Sequence, residues 1–228
     1  MCGRFTLIDT LDKLREYFPI DEAVCEVKPN YNVAPTQEIP VIVRMDRKNT
    51  LDKYHWGLVP FWAEDTHIGN RMINARVETI DKKPAFRSAF KKRRCLIPAS
   101  GFYEWKGPKG RKQPMYLTRP DFKPFALAGL WEAWDKKGLK KTVYKSCTIL
   151  TTEADESIRH IHTRMPVILK PESYTVWLDQ ENQDLVDLKD ILQAGIITEL
   201  LSHPVSKRVN KVENNDPANI KPFGRDND

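Results

Sequence analysis

The sequence predicts an α+β fold: one domain over residues 1–228, with a mainly antiparallel, partly barrel-like β core flanked by helices. Three observations support this expectation. The chain has 228 residues, enough to bury a sizeable core. Short apolar runs closed by turn residues outnumber the segments with helical spacing. The two kinds of segment lack the regular strand–helix alternation of a parallel sheet, which favours antiparallel pairing.

The predicted elements follow in chain order. Residues 9–18 carry leucines and Phe18 at helical spacing, with Asp9 or Thr10 available as the N-terminal cap. Strands are predicted at 40–45, 54–59, 94–99, 102–105, 115–118, 125–134 and 144–152. Further helices are predicted at 154–161, 172–178 and 184–193. From Lys207 onward the chain is polar and rich in Asn and Asp, so we expect an ordered core of about 2–220.

Positive charge is concentrated in three clusters. The net charge of +6 favours an anionic partner. Segment 82–94 has no acidic residue and contains Lys82, Lys83, Arg87, Lys91, Lys92, Arg93 and Arg94. A second cluster, in a loop with glycines and a proline, comprises Lys106, Lys109, Arg111 and Lys112. The third cluster, 136–141, is interpreted as a solvated hairpin tip. Segment 82–94 is either solvated surface or a nucleic-acid-binding face.

The compartment is inferred from what the sequence lacks. No apolar run approaches the roughly 20 residues that cross a bilayer, and no apolar segment follows the N-terminus, so we expect neither a membrane partner nor a secretory signal. The cysteines are scattered at Cys2, Cys25, Cys95 and Cys147 without metal-ligand spacing, so we expect no metal and no cofactor. Reduced thiols fit a cytoplasmic, nucleoid-associated protein. No self-complementary apolar stripe stands out, which favours a monomer.

Cys2 is the most informative residue. An initiator methionine before so small a residue is normally trimmed, which would leave a thiol and a free α-amine on adjacent carbons. The α-amine has an ordinary pKa of about 8 against about 10.4 for lysine, so far more of it is neutral and nucleophilic at pH 7. The thiol is a second nucleophile within reach of the same electrophile. Such a 1,2-aminothiol can trap an aldehyde or act on an acyl group, although a cysteine at this position is often incidental.

Other segments carry polar or aromatic groups where packing does not require them. The stretches 31–37 and 56–62 place a rigid proline and three aromatic rings in loops, where rings can stack on nucleobases. Trp56 is expected to be a core residue. In 74–78, alternation puts Asn74, Arg76 and Glu78 on one face of an extended segment. Glu104 lies between aromatic neighbours, where partial burial would suit acid–base work. The spacing does not distinguish His160 from His162, and either histidine can be structural.

Seven segments together resemble the SOS-response-associated peptidase family: MCGRF, YNVAPTQ, WGLVPFW, INARVET, CLIPASGFYEW, IHTRMP and HPVS. They run in the family's order from Cys2 to about Asn210. Members of this family are abasic-site processing proteins that crosslink themselves to damaged single-stranded DNA. One departure is Asn30, where many members have arginine, so one phosphate contact is missing or replaced.

The resemblance implies roles for particular residues. Cys2, freed of Met1, would form a Schiff base and then a thiazolidine with the aldehyde of an abasic site in single-stranded DNA. Glu104 would act as general acid–base, His162 would assist proton transfer, and Asn74 would position Cys2 and the sugar. The DNA-binding residues implied are Arg4, Asn32 and Arg76 for phosphates, and Pro35, Phe61, Trp62 and Trp105 for wedging or stacking. The family name also implies an autopeptidase that removes Met1, and the chemistry extends to lyase cleavage of the strand.

Two other interpretations compete with this one. An N-terminal-nucleophile cysteine amidohydrolase or peptidase would use the same aminothiol on an amide, but leaves segment 82–94 and the loop aromatics unexplained. A non-catalytic single-strand-binding protein would make Cys2 incidental.

Overall fold

The computed structural model describes residues 2–135, 143–194 and 196–224. Its strands are β1 Phe5–Leu7, β2 Glu22–Ala23, β3 Asn30–Val33, β4 Glu38–Met45, β5 Lys48–Trp56, β6 Asn74–Arg76, β7 Arg94–Ala99, β8 Gly101–Lys106, β9 Gln113–Thr118, β10 Phe125–Trp134, β11 Tyr144–Glu153, β12 Arg164–Pro166, β13 Ile168–Leu169 and β14 Leu201–Pro204. Its α-helices are α1 Leu11–Tyr17, α2 Arg87–Lys92, α3 Glu156–Arg159, α4 Tyr174–Leu178 and α5 Leu185–Ala194. The hairpin tip expected at 136–141 lies outside the described residues.

Within the described ranges the strands form two sheets. The smaller has the order β14-β9-β8-β1-β3, and the larger runs β12-β11-β10-β7-β4-β5-β2. Strand β11 also pairs with β5, which closes β4, β5, β11, β10 and β7 into a ring. Most pairings are antiparallel, whereas β5–β11, β6–β11 and β2–β5 are parallel. The predicted α+β class with a mainly antiparallel core is confirmed.

Several elements form where the local sequence predicts them. The Thr10 hydroxyl accepts a hydrogen bond from the Lys13 N–H (3.3 Å) and caps α1, which buries Leu14 and ends before Pro19. The ten-residue apolar run 125–134 forms β10 with the predicted bounds. No helix in the described part of the chain combines the length and apolarity that crossing a membrane requires.

The predicted strand 54–59 is displaced. Strand β5 begins at Lys48 and ends at Trp56, because the chain turns at Gly57 with φ +145°. A Cβ at Gly57 would lie 2.7 Å from the Gly69 carbonyl oxygen, so a side chain there is excluded by both conformation and space. Residues 57–62 therefore leave the sheet as a loop, while Trp56 is fully buried, as expected.

Sequence patterns missed the shortest elements. Strands β1, β2, β3, β12, β13 and β14 have at most four residues each, too few to show an alternating pattern. Helix α2 was not predicted, and α3 and α4 are shorter than the predicted helices. At the other end of the chain, backbone pairing continues beyond Ile220, since the Phe223 N–H donates to the Pro204 carbonyl (2.7 Å).

Candidate active site

Cys2 lies three residues before β1, the first strand of the smaller sheet. Strand β1 pairs with β3 on one side and β8 on the other, so the N-terminal segment is held between two neighbours. Cys2 is fully buried. The Asn74 Nδ2 donates to the Cys2 carbonyl oxygen (2.8 Å), which ties residue 2 to strand β6 of the larger sheet. The two sheets therefore meet at the backbone of Cys2.

Glu104 lies beside Cys2 through the pairing of β1 with β8. Phe5 is opposite Phe102 in this ladder, and the Tyr103 N–H donates to the Arg4 carbonyl (2.9 Å). The Glu104 side chain is only 4% exposed. Burial, and secondarily the charge of Glu104, raises the pKa of the Cys2 thiol to about 12. The thiol is therefore protonated at neutral pH, and the Glu104 carboxyl group is near enough for its charge to affect the thiol.

The Asn74 side chain has one polar atom that forms no hydrogen bond with the described residues. Its Nδ2 is occupied by Cys2, whereas its Oδ1 is buried and accepts no hydrogen bond from any of the described residues. Buried polar atoms are almost always paired, and exceptions mark places where a ligand or another group completes the site. The amide can thus hold Cys2 through its nitrogen and still accept a hydrogen bond from a bound molecule.

His162 lies in a loop that is fastened next to β6. Its Nδ1 lies 3.0 Å from the Arg164 backbone nitrogen and 3.1 Å from the Arg164 carbonyl oxygen, so the Arg164 backbone holds the ring through this nitrogen. Arg164 donates to Glu78 Oε2 (3.1 Å) and to the Thr151 carbonyl (2.7 Å). Pro166 and Arg76 both lie opposite Thr151 on β11, which brings the loop of His162 alongside the strand of Asn74.

One part of the predicted pattern in 74–78 is wrong. Strand β6 ends at Arg76, and a 3-10 turn follows at Val77–Thr79. Glu78 therefore leaves the face that alternation assigned to it and pairs with Arg164 instead. Arg76 itself is exposed at the end of the strand.

Arg4 and Asn32 form a connected pair. The Arg4 guanidinium donates to Asn32 Oδ1 (2.6 Å) and to the Val209 carbonyl (2.7 Å), and lies 6.0 Å from the centre of the Trp105 ring. Asn32 is 1% exposed, and its Nδ2 donates to the carbonyls of Lys211 (2.9 Å) and Asn214 (2.7 Å). Asn32 is thus a buried residue that positions Arg4.

The C-terminal segment is a part of the site that sequence patterns missed. Residues 209–214 supply the carbonyls that hold Arg4 and Asn32, and Asn210 Oδ1 accepts from the Trp105 indole N–H (2.9 Å). The polar composition that suggested a tail instead reflects this hydrogen bonding. The only available signal was the HPVS segment just before it.

The predicted aromatic residues are exposed on a loop beside the Pro35 turn. The Thr36 N–H donates to the Trp56 carbonyl and the Trp56 N–H to the Gln37 carbonyl, both at 2.9 Å. This pins the turn to the end of β5, from which residues 57–62 depart. Phe61 is 62% exposed and Trp62 47%. Phe61 and Trp62 are adjacent in the chain, so two exposed rings lie next to each other on this loop.

The basic segment 82–94 divides into two parts. Lys82, Lys83, Arg87, Lys91 and Lys92 are exposed. Arg93 pairs with the buried Glu132 (2.6 Å), and Arg94 is buried. The Arg94 guanidinium donates to main-chain carbonyls of Phe90, Lys91, Trp177, Asp179 and Asn182. The prediction of a continuous solvated or nucleic-acid-binding surface is therefore wrong for Arg93 and Arg94, which hold the fold together.

Comparison with known proteins places this site in context. Residues 1–212 match the family model described as SOS response associated peptidase (SRAP). The abasic site processing protein YoqW of Bacillus subtilis (strain 168) is 43% identical over 225 residues, which cover 97% of this chain and 99% of that protein. The abasic site processing protein YedK of Escherichia coli (strain K12) is 29% identical over 232 residues, covering 97% and 100%.

A solved structure of a Bacteroides thetaiotaomicron protein shares the fold, with a TM-score of 0.83 at 24% identity and coverage of 97% of this chain and 100% of that one. The family model extends from the N-terminal cysteine to the segment that holds Arg4 and Asn32. The chain belongs to the SOS response associated peptidase (SRAP) family.

Proposed function

We propose that this protein recognises abasic sites in single-stranded DNA and crosslinks to them through Cys2, forming a thiazolidine that shields the lesion. The observation that carries the proposal is the junction at residue 2, where Asn74 holds the Cys2 carbonyl and the buried Glu104 lies beside the thiol. The names of the relatives YoqW and YedK, both abasic site processing proteins, support the choice of substrate.

The chemistry needs only the aminothiol and a proton carrier. Once Met1 is gone, the Cys2 amine adds to the C1′ aldehyde of the ring-opened sugar and forms a carbinolamine. Loss of water gives the imine. The thiol then adds across the C=N bond: a C–S bond forms, and the thiol proton ends on nitrogen. Because amine and thiol belong to one residue, this ring closure is intramolecular and strongly favoured.

Glu104 is proposed to move the protons. In its carboxylate form it accepts a proton from the amine as the carbinolamine forms, and in its acid form it returns one to the departing hydroxyl. Burial raises the pKa of the Cys2 thiol, so a base near it would help the thiol to give up its proton during ring closure. His162, with Nε2 as its second nitrogen, is proposed to assist at the leaving oxygen or the neighbouring phosphate.

The remaining site residues are proposed to hold the strand. Arg4 and Arg76 would contact phosphates, with Asn32 acting through Arg4. Pro35, Phe61, Trp62 and Trp105 would stack on or wedge between the bases next to the lesion. Met1 must be removed first, by self-cleavage or by an aminopeptidase. The same imine would also allow strand cleavage by elimination of the 3′ phosphate.

The test is adduct formation with single-stranded DNA that contains one abasic site. We expect the wild-type protein to give a denaturant-stable, gel-shifted product without borohydride, and Cys2→Ala to give none. Cys2→Ser keeps the amine, so it should give a product only after borohydride trapping. The intact mass of the reactive protein should lack Met1.

The controls are the same strand without the lesion and a small amide substrate. Adduct formation by Cys2→Ala at the wild-type rate would refute the proposal, as would activity in a fully methionylated protein. Hydrolysis of the amide without any DNA adduct would favour an N-terminal-nucleophile amidohydrolase instead.

A further inference from the structure

The second basic cluster is located on the strand that carries Glu104. Strand β8 runs through Glu104 and Trp105 to Lys106, and the loop that joins it to β9 contains Lys109, Arg111 and Lys112. We call residues 106–112 the basic hairpin. All four cations are exposed, and none of them forms an ion pair with another of the described residues. From Trp105 to Arg119 the sequence contains no Asp or Glu, so no acid within the hairpin itself offsets its positive charge.

Backbone and side-chain hydrogen bonds connect the hairpin to the site. Its strands are paired up to Lys106 and Gln113, and the Arg111 N–H donates to the Pro108 carbonyl (3.1 Å) across the loop. Gln113 Nε2 donates to the Val205 carbonyl (2.8 Å), which fastens the hairpin to the chain just before 207–211. That neighbouring segment adds the exposed Lys207 and Lys211. Exposed cations therefore lie both in the basic hairpin and in the segment that Gln113 fastens it to.

We propose that the basic hairpin is a second phosphate-binding surface, which holds the DNA backbone on one side of the lesion. The placement of this surface beside a lesion rests on the proposed function, whereas the binding experiment below requires no crosslink. Lys106 ends β8, and Lys109, Arg111 and Lys112 follow in the short loop, so one negatively charged backbone that passes over the hairpin can contact several of them. Lysine and arginine without internal partners are the groups that such a backbone attracts, regardless of sequence.

The chain supplies a matched control. Arg47 and Lys48 are also an Arg–Lys pair, exposed at the tip of the β4–β5 hairpin. Lys48 begins β5, whose other end at Trp56 adjoins the Pro35 turn, so the pair lies roughly 26 Å along the strand from the site. Removing either pair changes the net charge equally. Any difference between the two double variants therefore reports position rather than charge.

The experiment measures the binding of undamaged single-stranded DNA, which offers no aldehyde, at salt concentrations from 50 to 200 mM. Each phosphate contact on a single strand contributes about 0.7 to the logarithmic salt slope. R111A/K112A should therefore lower the slope by about 1.4, so that the ratio of wild-type to variant affinity shrinks by about sevenfold over this range. R47A/K48A should leave affinity and slope unchanged, and R111K should retain wild-type binding because charge is what matters.

An unchanged salt slope in R111A/K112A, or an equal loss in both double variants, would overturn this inference. Thermal melting of each variant checks that it remains folded. Failure of adduct formation with abasic DNA would refute the proposed crosslink while leaving the salt-slope result to stand, so the two failures are distinguishable.

Discussion

At the scale of single residues, Cys2 and Glu104 illustrate how burial controls reactivity. A fully buried thiol beside a carboxyl group stays protonated and is protected from adventitious oxidation and alkylation, which require the thiolate. The same environment suits a reaction in which the amine attacks first. In the proposed reaction the imine would bring its carbon to the sulfur, and only at that point would the thiol have to give up its proton.

Replacing Glu104 by Gln should affect the thiol and the reaction in opposite directions. The carboxylate raises the pKa of the Cys2 thiol, so its removal should lower that pKa and make the thiol more nucleophilic. The rate of adduct formation should nevertheless fall by about 10²–10⁴, because the proton carrier is lost. The pH dependence of thiol alkylation and the adduct rate on gels measure the two effects.

Glu132→Gln is the control for this substitution. Glu132, on β10, is also buried, but it pairs with Arg93. Under conditions in which this variant is folded, the pKa of the Cys2 thiol and the rate of adduct formation should both stay close to wild type. If Glu104→Gln lowered the thiol pKa without slowing adduct formation, Glu104 would not be the acid–base group.

At the scale of secondary-structure elements, the segment around α2 shows how one run of like charges can serve two purposes. Its lysines and Arg87 face solvent, whereas Arg94 at the start of β7 binds five main-chain carbonyls, three of them contributed by residues 177–182. Sequence alone does not separate these cations, because what distinguishes them is the burial created by α4 and the loop after it.

Arg94→Lys should destabilise the protein by about 2–4 kcal/mol although the charge is retained. A lysine ammonium has three donors and cannot reproduce the planar guanidinium contacts, so buried carbonyls would be left unpaired. Denaturant titration measures the free energy of unfolding. Lys92→Ala, at an exposed position of the same segment, should stay within about 0.5 kcal/mol of wild type. Equal effects of the two substitutions would contradict the buried role of Arg94.

At the scale of the whole molecule, the core buries ionisable groups in their neutral form. Burial raises the pKa of the thiols of Cys2, Cys95 and Cys147 and of the Tyr54 hydroxyl. Such groups are uncharged in the folded protein at pH 7 and so contribute to the apolar core.

The free energy of unfolding should therefore fall at alkaline pH. In the unfolded chain these thiols lose their protons near their ordinary value of 9.0, whereas in the folded protein they keep them. Between the unfolded and folded pKa values the unfolded state binds fewer protons, so stability is fully present below pH 9 and is lost above it. Each thiol contributes a slope of up to about 1.4 kcal/mol per pH unit.

Urea titrations at pH 7 to 10 measure this dependence, with Cys147→Ala compared against the half-buried Cys25→Ala. The decrease above pH 9 should be shallower in the Cys147 variant than in the Cys25 variant. A free energy of unfolding that stays constant to pH 10 in the wild-type protein would contradict the burial argument.

The sequence alone determined the features that depend on local pattern or on a single residue's chemistry. The aminothiol at Cys2, the capped helix α1, the long strands β7, β10 and β11, and the family itself were all accessible from it. Periodicity and capping act over a few residues, and a motif's residues keep their chemistry wherever the fold places them. The predicted roles of the site residues stay predictions until adduct formation is measured.

Tertiary structure decided which residues meet. It placed Asn74 on the Cys2 carbonyl, assigned Asn32 to Arg4, and used residues 209–214 to hold both. It also separated Arg94 from the exposed cations beside it, and ended β5 at Trp56 where Gly57 approaches Gly69. These outcomes depend on contacts between residues far apart in the chain, on which no short sequence window carries information. The physical reason is that hydrogen bonds and burial are satisfied by the whole fold rather than by neighbours in sequence.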